Sequence, residues 1–442
     1  MQIQLSEKFT YKKLLRFTLP SIIMMIFTSV YGVVDGVFVS NFVGKTPFAA
    51  INLIMPVYMV LGAVGFMVGT GGSALVSKLL GEGEKEKANS VFSLLIYASL
   101  IFGAFLSVVA FILIEPVSRL LGAEGEMLES CVLYGRILLP FMAIFIVQNE
   151  FQSFLVAAEK PRLGLWITVA AGCTNILLDG LFVAVFPFGL AGAAIATAIS
   201  QVVGGSIPIF YFLMSKNSVL RLGKTRFDGR AILKTCANGS SEMMANLSLS
   251  VVNILYNFRL MELAGEDGLA AYGVIMYVNF VFMAIFFGYA VGSSPIISYH
   301  YGAGNANEIK SLKKKSLTII ALSAAAMTLL AELLAYPLAK IFVGYDEALL
   351  AMTARGFMLY SLSFLVMGFN VFGSSFFTAL NNGGVSAAIS FLRTFLFQIF
   401  SVLVLPLLLG IDGIWLSVVI AELLSVAVTV FFFLSQRSRY GY

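Results

Sequence analysis

The chain has 442 residues, of which 59% are hydrophobic and only 12% are charged. A soluble domain has about a quarter charged residues, so this composition excludes an ordinary soluble enzyme and indicates an integral membrane protein. One histidine and three separated cysteines give no metal, haem or disulfide pattern, and the net charge of +5 needs no nucleic acid, because basic residues anchor the inner face of membrane proteins.

Apolar stretches of about 20 residues, the length that crosses a bilayer, recur along the whole chain. We place the spans near residues 14–42, 49–80, 89–114, 128–156, 163–187, 190–214, 230–261, 270–301, 312–336, 350–379, 385–409 and 412–435. Several are longer than a bilayer requires, which predicts tilt, kinks or ends that project into water. The first is too long for a signal-peptide core, so we expect it to be retained.

The basic residues predict the orientation, because lysine and arginine near helix ends resist translocation. With the N-terminus inside, 21 of the 28 lysines and arginines fall on the cytoplasmic side. Only Arg393 lies deep within a span, the eleventh. We therefore expect a multi-pass protein of a bacterial-type inner membrane, with both termini cytoplasmic.

The second half of the chain repeats the first. The motif "GEGEKEKA" begins at Gly81 and "GAGNANEI" at Gly302, 221 residues later, and the same offset joins "GLAGAAIATAISQ" at Gly189 to "GIDGIWLSVVIAE" at Gly410. Near the start of each half the offset is 218, since "LLRFTLP" aligns with "ILKTCAN".

This repeat predicts an all-α integral membrane protein of twelve transmembrane helices, in two six-helix lobes related by a pseudo-two-fold axis along the membrane normal. We assign residues 1–214 to the N-lobe, 215–229 to a polar cytoplasmic linker and 230–442 to the C-lobe. Two such lobes around a central cavity are typical of secondary transporters that rock between two states. No GxxxxGK[ST] nucleotide-binding motif occurs, so an ion gradient is the expected energy source.

Six acidic residues fall inside the predicted spans. Glu150, Glu242 and Glu332 lie toward helix ends, where a side chain can reach interfacial water. Glu422 aligns with Gln201 through the repeat, so a polar pair within a lobe is at least as likely as a role in transport. Asp35 and Asp179 differ, because apolar residues surround each of them and burying an aspartate in a membrane helix costs about 2.5–3.5 kcal/mol. We interpret these two as proton or sodium switches.

Further oxygen ligands accompany the two aspartates. Asn175 lies one turn before Asp179 in "TNILLDG", and Thr197 lies at a similar depth in the next span. Such oxygen ligands suit a proton network or a hard cation such as Na⁺, and no other metal is expected. Pro20 removes a backbone hydrogen bond and gives helix 1 a place to bend.

The second half lacks this chemistry. At the equivalent positions Asp35 becomes Asn253, Asn175 becomes Leu396, Asp179 becomes Phe400 and Thr197 becomes Val418. Carboxylates that only joined helices would be expected in both halves, so the asymmetry favours a functional role.

The sequence resembles the multidrug and toxic compound extrusion (MATE) family, nearest to its DinF-like branch and related bacterial multidrug exporters. The resemblance covers nearly the whole chain and rests on these segments: "RFTLPSI", "VYGVVDGVFVSNFVG", "LLGEGEKEKA", "TNILLDGLFV", "GLAGAAIATAISQ" and "GSSEMMANLSLSVVNILYNFRL".

The resemblance implies an antiporter, without cofactors, that has a V-shaped cleft and is driven by H⁺, Na⁺ or both. The family's helix-1 aspartate corresponds to Asp35, its helix-5 pair to Asn175 and Asp179, and its helix-6 threonine to Thr197. The proline whose bending is thought to couple ion binding to drug release corresponds to Pro20. Other branches carry acidic residues in helices 7 and 10. Here helix 10 has none and Glu242 is very early in helix 7, which argues against a cation site in the C-lobe.

The expected substrates are organic cations, because methionine and aromatic side chains near the lobe interface can adapt to varied flat cations. The candidates for the cleft are Tyr31, Met24, Met276, Asn253 and Glu242. We expect small-molecule substrates and membrane lipid as the only partners, and a monomer. The alternatives are a flippase of the same superfamily for lipid-linked oligosaccharides or lipids, a major-facilitator carrier, an intramembrane enzyme and a passive channel. A flippase for anionic lipids would need several cations deep in the membrane, and a major-facilitator carrier would have a different loop after helix 2. An enzyme would need a catalytic motif, and a channel would be expected to carry its charges symmetrically.

Overall fold

The computed structural model describes residues 3–186, 188–215 and 218–442, except the side chains of residues 33, 35–41 and 45. These residues form helices joined by short connections, and no strand occurs among them. In a bilayer every backbone polar group must find its partner within the protein, which a helix achieves inside one segment. The all-α prediction is therefore confirmed.

The helices of the first half are α1 (Tyr11–Phe42), α2 (Lys45–Gly81), α3 (Lys85–Leu120), α4 (Gly125–Leu138), α5 (Met142–Ala157), α6 (Pro161–Asp179) and α7 (Gly189–Met214). Those of the second half are α8 (Gly229–Gly302), α9 (Ala306–Val343), α10 (Glu347–Ser361), α11 (Phe364–Ala379), α12 (Gly383–Phe391), α13 (Phe397–Leu409), α14 (Ile411–Ser435) and α15 (Arg437–Tyr440).

Helix α8 contains two of the predicted spans. Its 74 residues are interrupted at Gly265, which has φ 62° and ψ −146°, a conformation open only to glycine. The arms on either side fold back together, since the Tyr272 hydroxyl donates to Asn253 Oδ1 at 2.8 Å and the Tyr256 and Tyr272 rings stack at 5.1 Å.

Three other spans are broken helices. A 3₁₀ turn, Leu139–Phe141, joins α4 to α5, a bend of 48° separates α10 from α11, and a π-helical segment, Leu392–Leu396, joins α12 to α13. Within the described ranges, ten helices and the α10–α11 pair are long and apolar enough to cross a membrane. With α8 counted as two spans, this gives the twelve predicted from the sequence.

The two lobes pack closely near the face of the bundle at which α1 begins and α14 ends, called here the terminal face. Glycines make this contact: a Cβ on Gly71 of α2 would lie 2.2 Å from the Thr235 carbonyl oxygen, and one on Gly239 of α8 would lie 1.9 Å from that of Met67. On the other side of the seam, Gly292 of α8 lies against Thr18 of α1. Only glycine permits such close approach of two backbones.

The segment before α1 crosses this seam, and we call residues 3–10 the N-terminal strap. Its Leu5 N–H donates to Glu159 Oε1 in the α5–α6 loop at 2.7 Å, and its Phe9 N–H donates to Glu308 Oε1 of α9 at 2.9 Å. Lys315 Nζ donates to the Phe9 carbonyl at 2.5 Å. Leu5 and Phe9 are each 1% exposed. The strap is thus attached to both lobes.

The linker expected between the lobes also makes specific contacts. The Arg221 N–H donates to Asn89 Oδ1 at 2.6 Å, the Gly223 N–H donates to Ser93 Oγ at 3.0 Å, and Leu220 is fully buried. This segment therefore packs along α3, although its composition reads as a polar connection.

Candidate ion-coupling site and interlobe surface

Helix α6 carries two buried polar side chains, Asn175 and Asp179, one turn apart. Asn175 is 2% exposed and Asp179 is 0% exposed. Neither polar atom of the Asn175 side chain has a hydrogen-bond partner among the described residues. The two oxygen-bearing groups that the sequence placed on one helix face are thus both inside the N-lobe.

This face of α6 packs against α1. A Cβ on Gly172 would lie 2.5 Å from the Phe27 ring and 3.3 Å from the Tyr31 ring. Gly172, Asn175 and Asp179 share one side of α6, since residues three to four apart lie on the same face. Residue 35 belongs to α1 and lies one turn beyond Tyr31. The Asp35 side chain lies outside the described part of the structure, so its role stays a prediction.

The helix changes its geometry directly after Asp179. Residues Gly180–Val185 form a π-helical segment, a distortion that is frequent at functional sites because it redirects side chains and frees backbone groups. No sequence pattern predicted this segment, since Gly180 alone does not distinguish a π-bulge from a regular turn.

The other predicted members of the site have different surroundings. Thr197 of α7 is half-buried, and its carbonyl accepts a hydrogen bond from Ser200 Oγ at 2.8 Å. Pro20 lies inside the continuous helix α1 and lines a cavity on the terminal side of the N-lobe. Pro20 and Tyr31 thus lie at well-separated levels of helix α1.

The C-lobe has a buried ion pair in the corresponding region. Arg393 Nε donates to Glu422 at 2.8 Å to Oε1 and 3.0 Å to Oε2, and both side chains are under 10% exposed. Asn370 Nδ2 donates to Glu422 Oε2 at 2.7 Å, and Thr429 Oγ1 donates to Asn370 Oδ1 at 2.9 Å. Glu422 thus forms a polar pair within its lobe, which is one of the two roles that the sequence left open.

The repeat relates this ion pair to the N-lobe site. Arg393 and Glu422 lie 221 residues after Gly172 and Gln201. Gln201 accepts a neutral hydrogen bond from the Tyr58 hydroxyl at 2.8 Å, and Gly172 lets α1 approach α6. Where the C-lobe holds a fixed cation, the N-lobe leaves room for helix 1.

The candidates for the substrate cleft are not all placed alike. Met24 is 1% exposed and packs inside the N-lobe beside Gln148 and Pro208. Tyr31 and Met276 are half-buried, and Tyr277 and Phe280 are about half exposed, at 46% and 45%. Ser29 Oγ donates to the Phe280 carbonyl at 3.4 Å, so these aromatic residues lie near the meeting of α1 and α8.

Two further candidates belong to the C-lobe. Asn253, the counterpart of Asp35, accepts the Tyr272 hydrogen bond described above and is half-buried. Glu242 is also half-buried and lies within electrostatic reach of Arg393. Both lie on α8, whereas the predicted ion ligands Asn175, Asp179 and Thr197 lie on α6 and α7.

Glu150 was expected to reach interfacial water, and this expectation is wrong. It is 0% exposed, and the Ser99 hydroxyl lies beside its carboxylate. A Cβ on Gly69 of α2 would lie 3.0 Å from the Glu150 Cα, so α2 covers Glu150.

No group of three His, Cys, Asp or Glu side chains suited to a metal occurs among the described residues.

These features define a class of protein: a membrane transporter of two helical lobes, with polar groups buried in both lobes and a seam that is closed at the terminal face. Comparison with known proteins identifies the family. The MatE family model matches residues 20–181 and again 242–404. One model therefore matches each half of the chain once, and the chain belongs to the MatE family of transporters, which are not enzymes.

Similar proteins and structures extend over nearly the whole chain. It is 26% identical to "Multidrug export protein MepA" of Staphylococcus haemolyticus, over 98% of this chain and 95% of that protein. It is 25% identical to the MepA protein of Staphylococcus saprophyticus, over 93% and 91%. A solved structure described as the outward-facing conformation of a multidrug resistance MATE family transporter has a TM-score of 0.92 and 24% identity, and covers 99% of this chain and 97% of its own.

Proposed function

We propose that this protein is a secondary active antiporter that exports organic cations, including drugs and toxic compounds, in exchange for H⁺ or Na⁺. The observation that carries the proposal is the buried pair Asn175 and Asp179 on the α6 face that packs against α1. A buried amide that lacks a protein partner takes water or an ion instead, and a carboxylate one turn away supplies the charge that a cation needs. The relatives named as multidrug exporters support the substrate class.

The coupling site combines Asp35, Asn175, Asp179 and Thr197, and the terminal face is cytoplasmic. Gly172 brings α1 close to α6, so neutralising a carboxylate between these helices changes the free energy of their packing. Pro20 lacks the N–H that would hold helix 1 straight, so the helix bends there when the site is neutralised. The seam closed at the terminal face leaves the opposite end as the route for ions and substrate in this state.

Arg393, the cation that lies deep within a predicted span, does not support a function as a flippase for lipid-linked sugars. A flippase needs cations free to pair with phosphate, whereas Arg393 is held by Glu422 at 2.8 Å. The aromatic surface of Tyr277 and Phe280 instead offers faces to a flat organic cation.

The test is competition between ion and substrate at one site. By reciprocity, an ion that weakens substrate binding is itself weakened by substrate to the same extent. We expect the affinity of purified protein for ethidium, measured by fluorescence anisotropy, to fall about tenfold as pH is lowered or Na⁺ is added, and Asp35→Asn or Asp179→Asn to remove most of this change. A tenfold change corresponds to about 1.4 kcal/mol.

The matched control is Glu332→Gln, which neutralises a carboxylate in a C-lobe span that accepts a hydrogen bond from Ser361 at 2.7 Å. It should keep the wild-type ion dependence and ethidium efflux from vesicles. Ethidium affinity that is insensitive to pH and Na⁺, or an Asp179→Asn protein with wild-type driven efflux, would show that the N-lobe pair is structural.

A further inference from the structure

A cavity of about 340 Å³ opens between the first turns of α1 and the start of α6. Three cationic side chains, Arg16, Lys160 and Arg162, and one carboxylate, Glu159, contribute to its wall. The rest of the wall is apolar and consists of Ile3, Phe17, Pro20, Pro161 and Leu163. An excess of positive charge beside apolar surface suits a ligand that is both anionic and apolar.

The cavity lies where the membrane surface meets the protein. Arg16 and Arg162 are exposed. One turn further along each helix the exposed residues are apolar, with Leu19 51% exposed on α1 and Trp166 68% exposed on α6. Tryptophan is enriched at the boundary between headgroups and acyl chains. The cationic wall is therefore at headgroup level, and hydrocarbon contacts begin directly beyond it.

The cavity is not a consequence of the fold, because the C-lobe fills the same place. The repeat offsets relate Arg162 to Gly383, and Leu19 and Pro20 to Ala237 and Asn238. A Cβ on Gly383 would lie 2.2 Å from the Ala237 carbonyl oxygen, so backbone meets backbone there. In the N-lobe the corresponding helices leave an open, basic space beside Pro20.

We propose that this cavity binds the phosphate headgroup of an anionic phospholipid, whose acyl chains lie along Leu19 and Trp166. The guanidinium groups of Arg16 and Arg162 supply the charge-assisted, bidentate donors that phosphate accepts. Glu159 opposes them, but its Oε1 already accepts the Leu5 N–H of the strap. The lipid thus lies against both the Pro20 turn of helix 1 and the end of the strap. The proposal concerns binding alone and does not depend on the transported substrate.

The two tryptophans make the site directly observable. Trp166 is exposed, whereas Trp415 is 1% exposed in the C-lobe core, so a brominated lipid in contact with the protein quenches Trp166 selectively. We expect brominated phosphatidylglycerol in mixed micelles to reach half-maximal quenching at a mole fraction about 25-fold lower than brominated phosphatidylcholine. Each surface cation contributes roughly a fivefold preference for anionic lipid, so Arg16→Gln/Arg162→Gln should abolish the difference.

A matched control removes two charges elsewhere on the same face. Lys310→Gln/Lys314→Gln changes two exposed lysines of α9 and should retain the preference. Arg16→Lys/Arg162→Lys should retain only part of it, because lysine keeps the charge but loses the bidentate donors. Equal quenching by the two lipids in the wild type, or equal loss in the α9 variant, would overturn the site. Millimolar inorganic phosphate that removes the preference would show that free phosphate, not lipid, is the ligand.

Discussion

Gly81 and Gly302, which the internal repeat relates, contact each other's helices reciprocally at the terminal face. A Cβ on Gly81 would lie 2.0 Å from the Tyr299 carbonyl oxygen, and a Cβ on Gly302 would lie 2.0 Å from the Lys78 carbonyl oxygen. The two repeats therefore meet through their backbones, at equivalent residues. No rotamer change can relieve a methyl group placed there, because the neighbouring atoms are main chain.

We expect Gly81→Ala and Gly302→Ala to weaken closure of the terminal face. Cys236 reports this opening, because it is half-buried on α8 and lies near Glu150 of the opposite lobe. In a Cys131→Ala/Cys173→Ala background, maleimide labelling of Cys236 should accelerate severalfold in either glycine variant. Gly273→Ala is the control, since nothing lies within 4 Å of its Cβ position. Unchanged labelling in both variants would show that the seam tolerates separation at this level.

The Arg393–Glu422 pair should contribute more to stability than an exposed pair. Glu422→Ala leaves a buried guanidinium without its partner, which costs about 3–5 kcal/mol, and the midpoint of thermal unfolding in micelles should fall accordingly. The control is Arg355→Ala, which breaks a pair of 2.6 Å whose arginine is 70% exposed and should cost under about 1 kcal/mol. Equal shifts in the two variants would contradict a structural role for the buried pair.

The N-terminal strap should oppose opening of the terminal face. Phe9→Ala removes a buried ring and should loosen the strap from α9, which exposes the seam to maleimide at Cys236. The control is Phe227→Ala, the same substitution at a residue that is 84% exposed. Labelling that is the same in the two variants would mean that the strap follows the lobes without holding them together.

The docking of the strap should depend on pH through Glu159. Burial raises the pKa of Glu159, and this outweighs the opposing effects of the Leu5 N–H and of Lys160 and Lys85, while Glu7 adds to the rise. An acid with a raised pKa in the docked state binds its proton more tightly there, so the stabilisation is complete at low pH and is lost as pH rises through that pKa.

Glu7 acts in the opposite sense, because its hydrogen bond with Lys13 lowers the pKa of Glu7 from its usual 4.5. Its contribution is lost only as pH falls below that usual value, so Glu159 governs the change in docking as pH rises above it. Amide hydrogen exchange of Leu5 and Phe9, corrected for intrinsic rates, should therefore be faster at about pH 8 than at about pH 4.5. Glu159→Gln should remove the difference, and equal protection of the wild type at both values would refute the prediction.

Most of the fold could be predicted from the sequence, because bilayer thickness sets span length and the repeat sets symmetry. The ends of the helices were harder to predict. The span predicted at 89–114 belongs to α3, which runs Lys85–Leu120, so depth within a span was uncertain by more than a turn. Glu150 shows the result: its place near a helix end indicated water, but close packing of α2 at Gly69 buries it, and that packing depends on a glycine distant in sequence.

The candidate site was predictable only as residue types on helix faces. Asn175 and Asp179 share a buried face as predicted, since helical spacing alone determines it. The Arg393–Glu422 pair, the π-helical segment after Asp179 and the cavity beside Pro20 depend on how helices approach one another, which periodicity does not encode. Met24 shows the same limit. A hydrophobic residue of a membrane helix can face lipid, a cleft or a neighbouring helix, and composition does not distinguish these surroundings.

The single-residue reversal at Gly265 has a mechanical consequence for the whole transporter. Its two arms are tied by Tyr272 and Asn253 and joined without a loop, so the hairpin has no slack. One arm carries Gly239 in the seam at the terminal face, and the other carries Tyr277 and Phe280 where α8 meets α1. We therefore expect a displacement of one arm to displace the other at the same time, and a state open at both faces to require this hairpin to break.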